Sequence, residues 1–209
     1  MKKTFVLIVL FVLPIVAYLF FASGVNNFGM LPELTQNVSE LDFATNARFK
    51  DNITVLGFLG TDVDSRKGNA FNLNQKIYKR FFEFNDFQFV MVVPFGTEEK
   101  VRDLKEEIGA LADIEKWNFV FATSEEIDSL FASLKTDLQL DKNYSTPYAF
   151  IVDKDLNLRG RTDDEDEGTK YGFNTNSVAD LNNKMVDDIK IILAEYRLAL
   201  KKNNADRSH

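Results

Sequence analysis

The sequence predicts an α/β domain in which helices cover both faces of a central mixed sheet, forming a three-layer sandwich, preceded by one N-terminal transmembrane helix. Three observations lead to this fold class. Segments with strand and helix signals alternate over residues 53–200. The first strand segments are continuous apolar runs, which is typical of parallel strands buried on both faces. The last two strand segments are separated only by a short turn, which adds an antiparallel hairpin.

Five segments are predicted to be strands, because each is short, rich in apolar residues and bounded by turn residues. They are residues 53–59, 87–93, 118–122, 148–152 and 156–161. Gly60 and Pro94 end the first two strands. Asp153-Lys154-Asp155 forms the turn between the last two, which are therefore predicted to be a hairpin.

Four segments are predicted to be helices, because their apolar residues recur at helical spacing. They are residues 69–84, residues 97–113, a helix that begins after Thr123, and residues 177–200. Thr97 and Ser177 are predicted N-caps, and Thr123 with Glu126 forms a capping box. The resulting order, β-α-β-α-β-α-β-β-α, implies a mostly parallel sheet that is covered on both faces.

The N-terminal part of the chain is predicted to be a membrane anchor. Residues 5–22 form an uncharged run of 18 residues, and a helix of that length spans about 27 Å, close to the hydrocarbon thickness of a bilayer. Lys2 and Lys3 precede the run, so the N-terminus is expected in the cytoplasm and the rest of the chain across the membrane. The alternative is a signal peptide cleaved near Ala22-Ser23-Gly24, although such a peptide usually has a shorter apolar core.

These observations divide the chain into four parts. They are the anchor (1–24), a polar juxtamembrane linker (25–48), the α/β domain (49–202) and a polar tail (203–209).

Composition excludes several classes of function. The net charge is −7, with 25 basic and 32 acidic residues, which disfavours nucleic acid as a partner. The chain has no cysteine, so disulfides, thiol catalysis and thiolate-bound metals are excluded. Its one histidine, His209, is the last residue, and no G-x-S-x-G motif is present. The sequence therefore predicts that the protein is not an enzyme and needs no cofactor.

The predicted order of elements is the layout of thioredoxin-like folds that carry an inserted βα unit, and several motifs resemble one family in particular. They are Met30-Leu31-Pro32-Glu33-Leu34, the strand leading to Gly60-Thr61, Glu115-Lys116-Trp117-Asn118-Phe119, and Ser145-Thr146-Pro147-Tyr148 before the strand 149–152. In this order, and behind a short anchor, they resemble the Sco/SenC proteins. These are membrane-anchored thioredoxin-like copper chaperones for cytochrome c oxidase, and the resemblance implies their scaffold.

The copper ligands of that family are missing. The family holds copper with two cysteines of a C-x-x-x-C loop after the first strand and a distant histidine, ligands that suit both copper oxidation states. In this sequence the loop 61–68 reads TDVDSRKG, and Ser145 aligns with the histidine. The candidate site is therefore a degenerate loop that binds a partner, and no copper site is expected. It consists of Thr61, Asp62, Asp64, Ser145, Thr146 and Pro147.

Two features of this region allow other interpretations. Thr146-Pro147 resembles the Thr-cis-Pro pair of many thioredoxin-like proteins, but a proline that starts a strand explains it equally. Asp62 and Asp64 are usual turn residues, and a carboxylate-only active site at this pair is a less favoured interpretation.

A second candidate site is the acidic run 163–167, followed by Gly168. Asp163, Glu165 and Glu167 place oxygen ligands at alternate positions, as in a calcium loop, but Asn174 stands where a bidentate glutamate is needed. The alternatives are a weak calcium site and a solvated acidic loop.

The sequence thus predicts a non-catalytic binding or assembly protein, single-pass in the bacterial inner membrane, with its domain in the periplasm. The predicted partner is a membrane protein, and the resemblance indicates cytochrome oxidase or its assembly factors. The alternative function is an exported ligand- or calcium-binding module.

Overall fold

The computed structural model describes residues 10–16 and 29–206, and side chains up to residue 199. Residues 10–16 are helical, but most of the predicted anchor lies outside the described residues, as does the end of the tail, 207–209. Within the described ranges, no helix combines the length and the apolar character needed to cross a membrane.

Seven strands form the central sheet. They are β1 (Glu33–Thr35), β2 (Ile53–Leu59), β3 (Phe87–Pro94), β4 (Trp117–Ala122), β5 (Ser145–Val152), β6 (Leu158–Arg159) and β9 (Phe173–Asn174). The order is β1-β6-β5-β2-β3-β4, and β9 pairs with β5. Strands β2, β3 and β4 are parallel, whereas β5 is antiparallel to β2 and β6. The mixed sheet and its β5–β6 hairpin confirm the predicted α/β fold of the domain. A separate two-stranded hairpin consists of β7 (Arg161–Asp164) and β8 (Gly168–Lys170).

Four main helical segments accompany the sheet. Segment α1 starts with a 3₁₀ turn (Val63–Arg66) and continues as an α-helix (Lys67–Leu73), a π-helical turn (Asn74–Tyr78) and a last turn (Lys79–Phe81). Helices α2 and α3 are Glu98–Gly109 and Ser124–Ser133. Segment α4 comprises Val178–Asp180, a π-helical turn (Leu181–Met185) and Val186–Asp206. The last part includes residues 203–206 of the predicted tail.

Two of the predicted helix caps form and one does not. Ser177 accepts a hydrogen bond from the N–H of Asp180, and Thr123 forms the complete capping box with Glu126. Thr97 precedes α2 but makes no side-chain cap, because its hydroxyl donates instead to the carbonyl oxygen of Pro94 at 2.8 Å.

The sheet separates two apolar layers, because alternate strand residues face opposite sides. Val55 and Phe89 face one layer, to which α1, α2 and α4 contribute apolar side chains. Leu56 and Val90 face the other layer, which is completed by α3 and by the segment 38–49. This arrangement is the predicted three-layer sandwich.

The structure corrects the predicted linker, since its described part belongs to the domain. This part supplies β1 and three buried apolar side chains, Leu31, Val38 and Leu41. The Glu40 carboxylate also accepts hydrogen bonds from the backbone N–H groups of Leu41 and Phe49 at 2.9 and 2.6 Å. The apolar residues of an irregular segment follow no regular spacing, so this packing leaves no periodic pattern in the sequence.

A buried ionic cluster fixes the first residues of this segment. The N–H of Leu31 donates to Glu195 at 2.7 Å, and its carbonyl oxygen accepts from Nε of Arg159 at 3.0 Å. The Arg159 guanidinium also pairs with Asp153 at 2.9 Å and with Glu195 at 2.6 Å. Because Arg159 and Asp153 are almost fully buried, this cluster holds the chain firmly where it enters the domain.

Candidate functional site

The predicted loop begins with a tight turn at the carboxyl end of β2. Gly60 has a φ of +68°, and a Cβ atom there would lie 2.2 Å from the carbonyl oxygen of Asn143. The N–H of Thr61 donates to that same carbonyl oxygen at 2.9 Å, and Nζ of Lys100 donates to the carbonyl oxygen of Thr61 at 3.2 Å. The loop is therefore joined to the segment before β5 through backbone contacts that only glycine permits.

The structure brings Ser145 next to the loop, and the contact is made by Arg66. Nε of Arg66 donates to Oγ of Ser145 at 3.0 Å, and its Nη2 donates to Oδ2 of Asp141 at 3.1 Å. The Ser145 hydroxyl in turn donates to Oδ2 of Asp141 at 2.8 Å. Oδ1 of Asp141 accepts from the N–H groups of Asn143 at 2.8 Å and Ser145 at 3.0 Å. We call Arg66, Asp141 and Ser145 the polar network.

Every polar group in this network has a partner, which restricts its chemistry. Burial opposes the charge on Asp141, but the hydrogen bonds from Ser145, Asn143 and Arg66 outweigh it and hold the pKa of the carboxyl below its usual value. A carboxylate held ionised in this way is a weak base toward the serine hydroxyl. The Arg66 guanidinium also places a fixed positive charge beside the oxygen atoms, which opposes binding of a metal cation there.

The two aspartates of the loop are not part of this network. Asp62 and Asp64 are exposed, and the Asp62 carbonyl oxygen accepts the Ser65 hydroxyl at 2.8 Å in a local turn. Nζ of Lys67 lies 3.0 Å from Asp64 and 2.8 Å from Glu107. The pKa of the Lys67 ammonium is raised, first by the hydrogen bond to Glu107 and then by that to Asp64. These positions favour the turn interpretation over a carboxylate active site.

Thr146 and Pro147 lie inside β5, and the peptide bond between them is trans, as are all the peptide bonds of the described residues. Thr146 is buried. The Pro147 carbonyl oxygen accepts two hydrogen bonds from Thr175, from its N–H at 2.8 Å and from its hydroxyl at 2.6 Å. The resemblance to a Thr-cis-Pro pair therefore does not extend to the backbone, and the interpretation as a proline near the start of a strand is the one that fits.

The predicted calcium ligands do not assemble. Asp163 and Glu165 are exposed strand and turn residues, while Glu167 pairs with Lys170 at 2.7 Å. Asp164, which the prediction passed over, points inward and pairs with Lys184 at 2.7 Å. Over residues 10–16 and 29–206, no three acidic or histidine side chains are arranged to hold a metal ion. The acidic run forms a hairpin, and because successive strand residues face opposite sides, its carboxylates do not converge on one point. Asp164 and Glu167 instead form ion pairs with lysines.

Sequence reasoning missed Arg66 and Asp141. The pattern Asp141-Lys142-Asn143-Tyr144-Ser145 is compatible with an Asp side chain that accepts from N–H groups two and four residues further on, which was a usable signal. No local sequence pattern points to Arg66, because its hydrogen-bond partners Asp141 and Ser145 lie 75 and 79 residues away along the chain.

Comparison with known proteins shows that this chain is similar to others in fold only. No protein-family description and no curated protein matches the chain. Among solved structures, it is similar to a protein of Aquifex aeolicus VF5 that is provisionally described as an electron transport protein. That pair has 18% identity and a TM-score of 0.50, and the match covers 78% of this chain and 96% of the other.

Sco-type proteins are also among the structural neighbours. They include the apo Sco1 protein of Thermus thermophilus (11% identity, TM-score 0.48, covering 78% of this chain and 95% of that one). They also include a SCO1/SenC family lipoprotein of Bacillus anthracis (18% identity, TM-score 0.44, covering 73% and 96%). With its mixed sheet covered by helices on both faces, the chain has a thioredoxin-like fold, and its sequence contains no cysteine.

Proposed function

We propose that this chain is a membrane-anchored binding or assembly protein whose thioredoxin-like domain performs neither thiol redox chemistry nor copper transfer. The observation that carries the proposal is the polar network. It occupies the contact between the loop after β2 and Ser145, where the resemblance to Sco/SenC proteins leads one to expect metal ligands.

The chemistry of the network supports this proposal. Copper in proteins is held by soft thiolates or by imidazole, and the network offers one hydroxyl, one carboxylate and one guanidinium. All three groups are already hydrogen-bonded to one another at 2.8 to 3.1 Å. A copper ion would have to displace Arg66 and then accept only hard oxygen ligands.

The proposed location follows from the sequence. The apolar run 5–22 and the preceding lysines favour an uncleaved anchor, with the domain on the periplasmic side of a bacterial inner membrane. A membrane-protein partner suits a domain tethered in this way. The resemblance to Sco/SenC proteins makes cytochrome c oxidase, or a factor that assembles it, the first partner to test.

Copper retention tests the non-catalytic part of the proposal. The full chain is purified in detergent, incubated with Cu(I) under reducing conditions, desalted and analysed for metal content. We expect far less than one copper per chain. A stoichiometric amount of retained copper that disappears in a Ser145→Ala variant would overturn the proposal.

Affinity purification tests the partner. Tagged chain is recovered from solubilised membranes, and the oxidase subunits are quantified by mass spectrometry. We expect the exposed Asp62→Lys change in the loop to reduce their recovery. Asp163→Lys, an equally exposed change on the separate hairpin, is the matched control and should leave recovery unchanged. If oxidase subunits are absent from the wild-type sample, the proposed link to the oxidase is wrong.

A further inference from the structure

The β7–β8 hairpin is attached to the domain in an unusual way, because it contains no apolar side chain. Residues 161–170 read RTDDEDEGTK, and their two strands form a sheet of their own. The flanking residues Leu158 and Phe173 are fully buried in the main sheet, so both ends of the hairpin are fixed. Since apolar burial is the usual force that attaches such an element, polar contacts must hold this one.

Helix α4 supplies the complementary groups. Three of its charged residues are four positions apart, so they lie on one face, and their signs alternate. The hairpin presents the opposite signs in matching positions. A partly exposed pair joins Asp166 to Lys184 at 2.8 Å, and Nη2 of Arg161 donates to the carbonyl oxygen of Lys184 at 3.2 Å. Three more deeply buried ion pairs are Lys170 with Asp180 at 3.2 Å, Asp164 with Lys184 at 2.7 Å, and Arg161 with Asp188 at 2.7 Å.

These pairs are largely removed from water. The side chains of Lys170, Asp164 and Asp188 are only 1%, 1% and 2% exposed. The pair with Asp188 is bidentate, because Nε and Nη2 of Arg161 both donate to its carboxylate, at 2.9 and 2.7 Å. Loss of one partner would leave a buried charge without compensation, which is far more costly than loss of an exposed pair.

We propose that the hairpin 161–170 is a strap that is latched to α4 by these polar contacts, chiefly the three buried ion pairs, and opens as a unit while the main sheet stays folded. Opening would uncover the charged face of α4 that carries Asp180, Lys184 and Asp188. Access to that face is then governed by anything that competes for these charges, such as salt or a charged segment of a partner protein. This inference does not depend on the function proposed above.

Hydrogen exchange of the full chain, measured by mass spectrometry, tests the strap. In the wild type we expect the amides of 161–170 to exchange faster than those of β2 and β3, because they need only local opening. The variant Asp188→Asn should accelerate exchange of the strap by about a hundredfold and leave β2 and β3 unchanged. The matched control is Asp187→Asn, which removes the neighbouring carboxylate of an exposed pair with Lys190 and should change neither region.

Two further measurements keep the test decisive even if Asp188→Asn folds poorly. Exchanging the charges in Arg161→Asp with Asp188→Arg should restore slow exchange of the strap. Raising KCl to 1 M should accelerate the strap of the wild type by about threefold and leave the main sheet unaffected. The proposal is overturned if strap and sheet exchange at one common rate, or if neither salt nor Asp188→Asn changes the strap selectively.

Discussion

The polar network can be tested by replacing Asp141 with asparagine. In the variant, the amide oxygen can keep the two backbone hydrogen bonds from Asn143 and Ser145. The amide nitrogen then faces the Ser145 hydroxyl and the Arg66 guanidinium, both of which donate to the carboxylate in the wild type. Two hydrogen bonds to a charged acceptor are lost, each contributing about 1.5 to 3 kcal/mol when shielded from water. Because the Asp141 side chain is 42% exposed, we reduce the sum to about 2 kcal/mol.

The assay is urea unfolding of the full chain at pH 7, followed by Trp117 fluorescence. The control variant is Asp137→Asn, since Asp137 is exposed and accepts only a long contact of 3.5 Å from Thr136. A loss for Asp141→Asn below about 0.5 kcal/mol, or one equal to the control, would refute our account of the network.

The same variant has a definite pH dependence. The pKa of Asp141 is lowered in the folded state, so its carboxylate stabilises the fold above the usual carboxyl pKa of about 4. This contribution disappears as the pH falls through the folded-state pKa. The gap in stability between the wild type and Asp141→Asn should therefore be constant near neutral pH and narrow below about pH 4.

Three other substitutions test the surrounding structure, each by urea unfolding. Gly60→Ala should lower the free energy of unfolding by about 3 kcal/mol, because the added Cβ would clash with the carbonyl oxygen of Asn143 and the backbone φ is +68°. The control is Gly68→Ala, whose added Cβ meets no atom within 4 Å and which should be neutral or slightly stabilising. Equal losses for the two variants would contradict the role of the turn. Arg159→Met should cost about 3 to 5 kcal/mol by leaving the carboxylates of buried Asp153 and partly buried Glu195 without their ion-pair partner, and a cost near zero would mean that the cluster is dispensable. Thr123→Ala should cost about 1 kcal/mol through loss of the capping box, and an unchanged stability would show that the cap is not needed.

The sequence predicted the central sheet well, because its strands are long apolar runs with clear ends. Residues 53–59 form β2 as predicted, and β3 and β4 differ from prediction by only one residue. It failed to predict β1, which has three residues, of which Glu33 is exposed. Such a strand forms because β6 offers it an open edge, and that edge exists only once the sheet has folded.

The β7–β8 hairpin was missed for a related reason. Strand prediction rests on alternating apolar and polar residues, and the segment 161–170 has no apolar residue that could alternate. Its partners, Asp180, Lys184 and Asp188, lie on a helix further along the chain. An attachment made of charges is visible only when the two elements are seen together, so the acidic run taken alone suggests only a weak calcium site or a solvated acidic loop.

The candidate site differs from its prediction for the same reason, because its contacts join residues that are far apart in the sequence. The resemblance to Sco/SenC proteins implied that Ser145 lies beside the loop after β2, and the Arg66–Ser145 hydrogen bond joins the two. It implied only a degenerate loop and gave no indication of the groups that hold this contact. The Ser145 hydroxyl accepts from Arg66 and donates to Asp141, so an ionic network holds the contact between loop and strand. A reactive or metal-binding centre needs ligands with free lone pairs, whereas a docking surface needs a fixed shape. If the edge binds a partner as proposed, the network fixes its shape, and recognition is expected to rest on its exposed residues, Asp62 in particular.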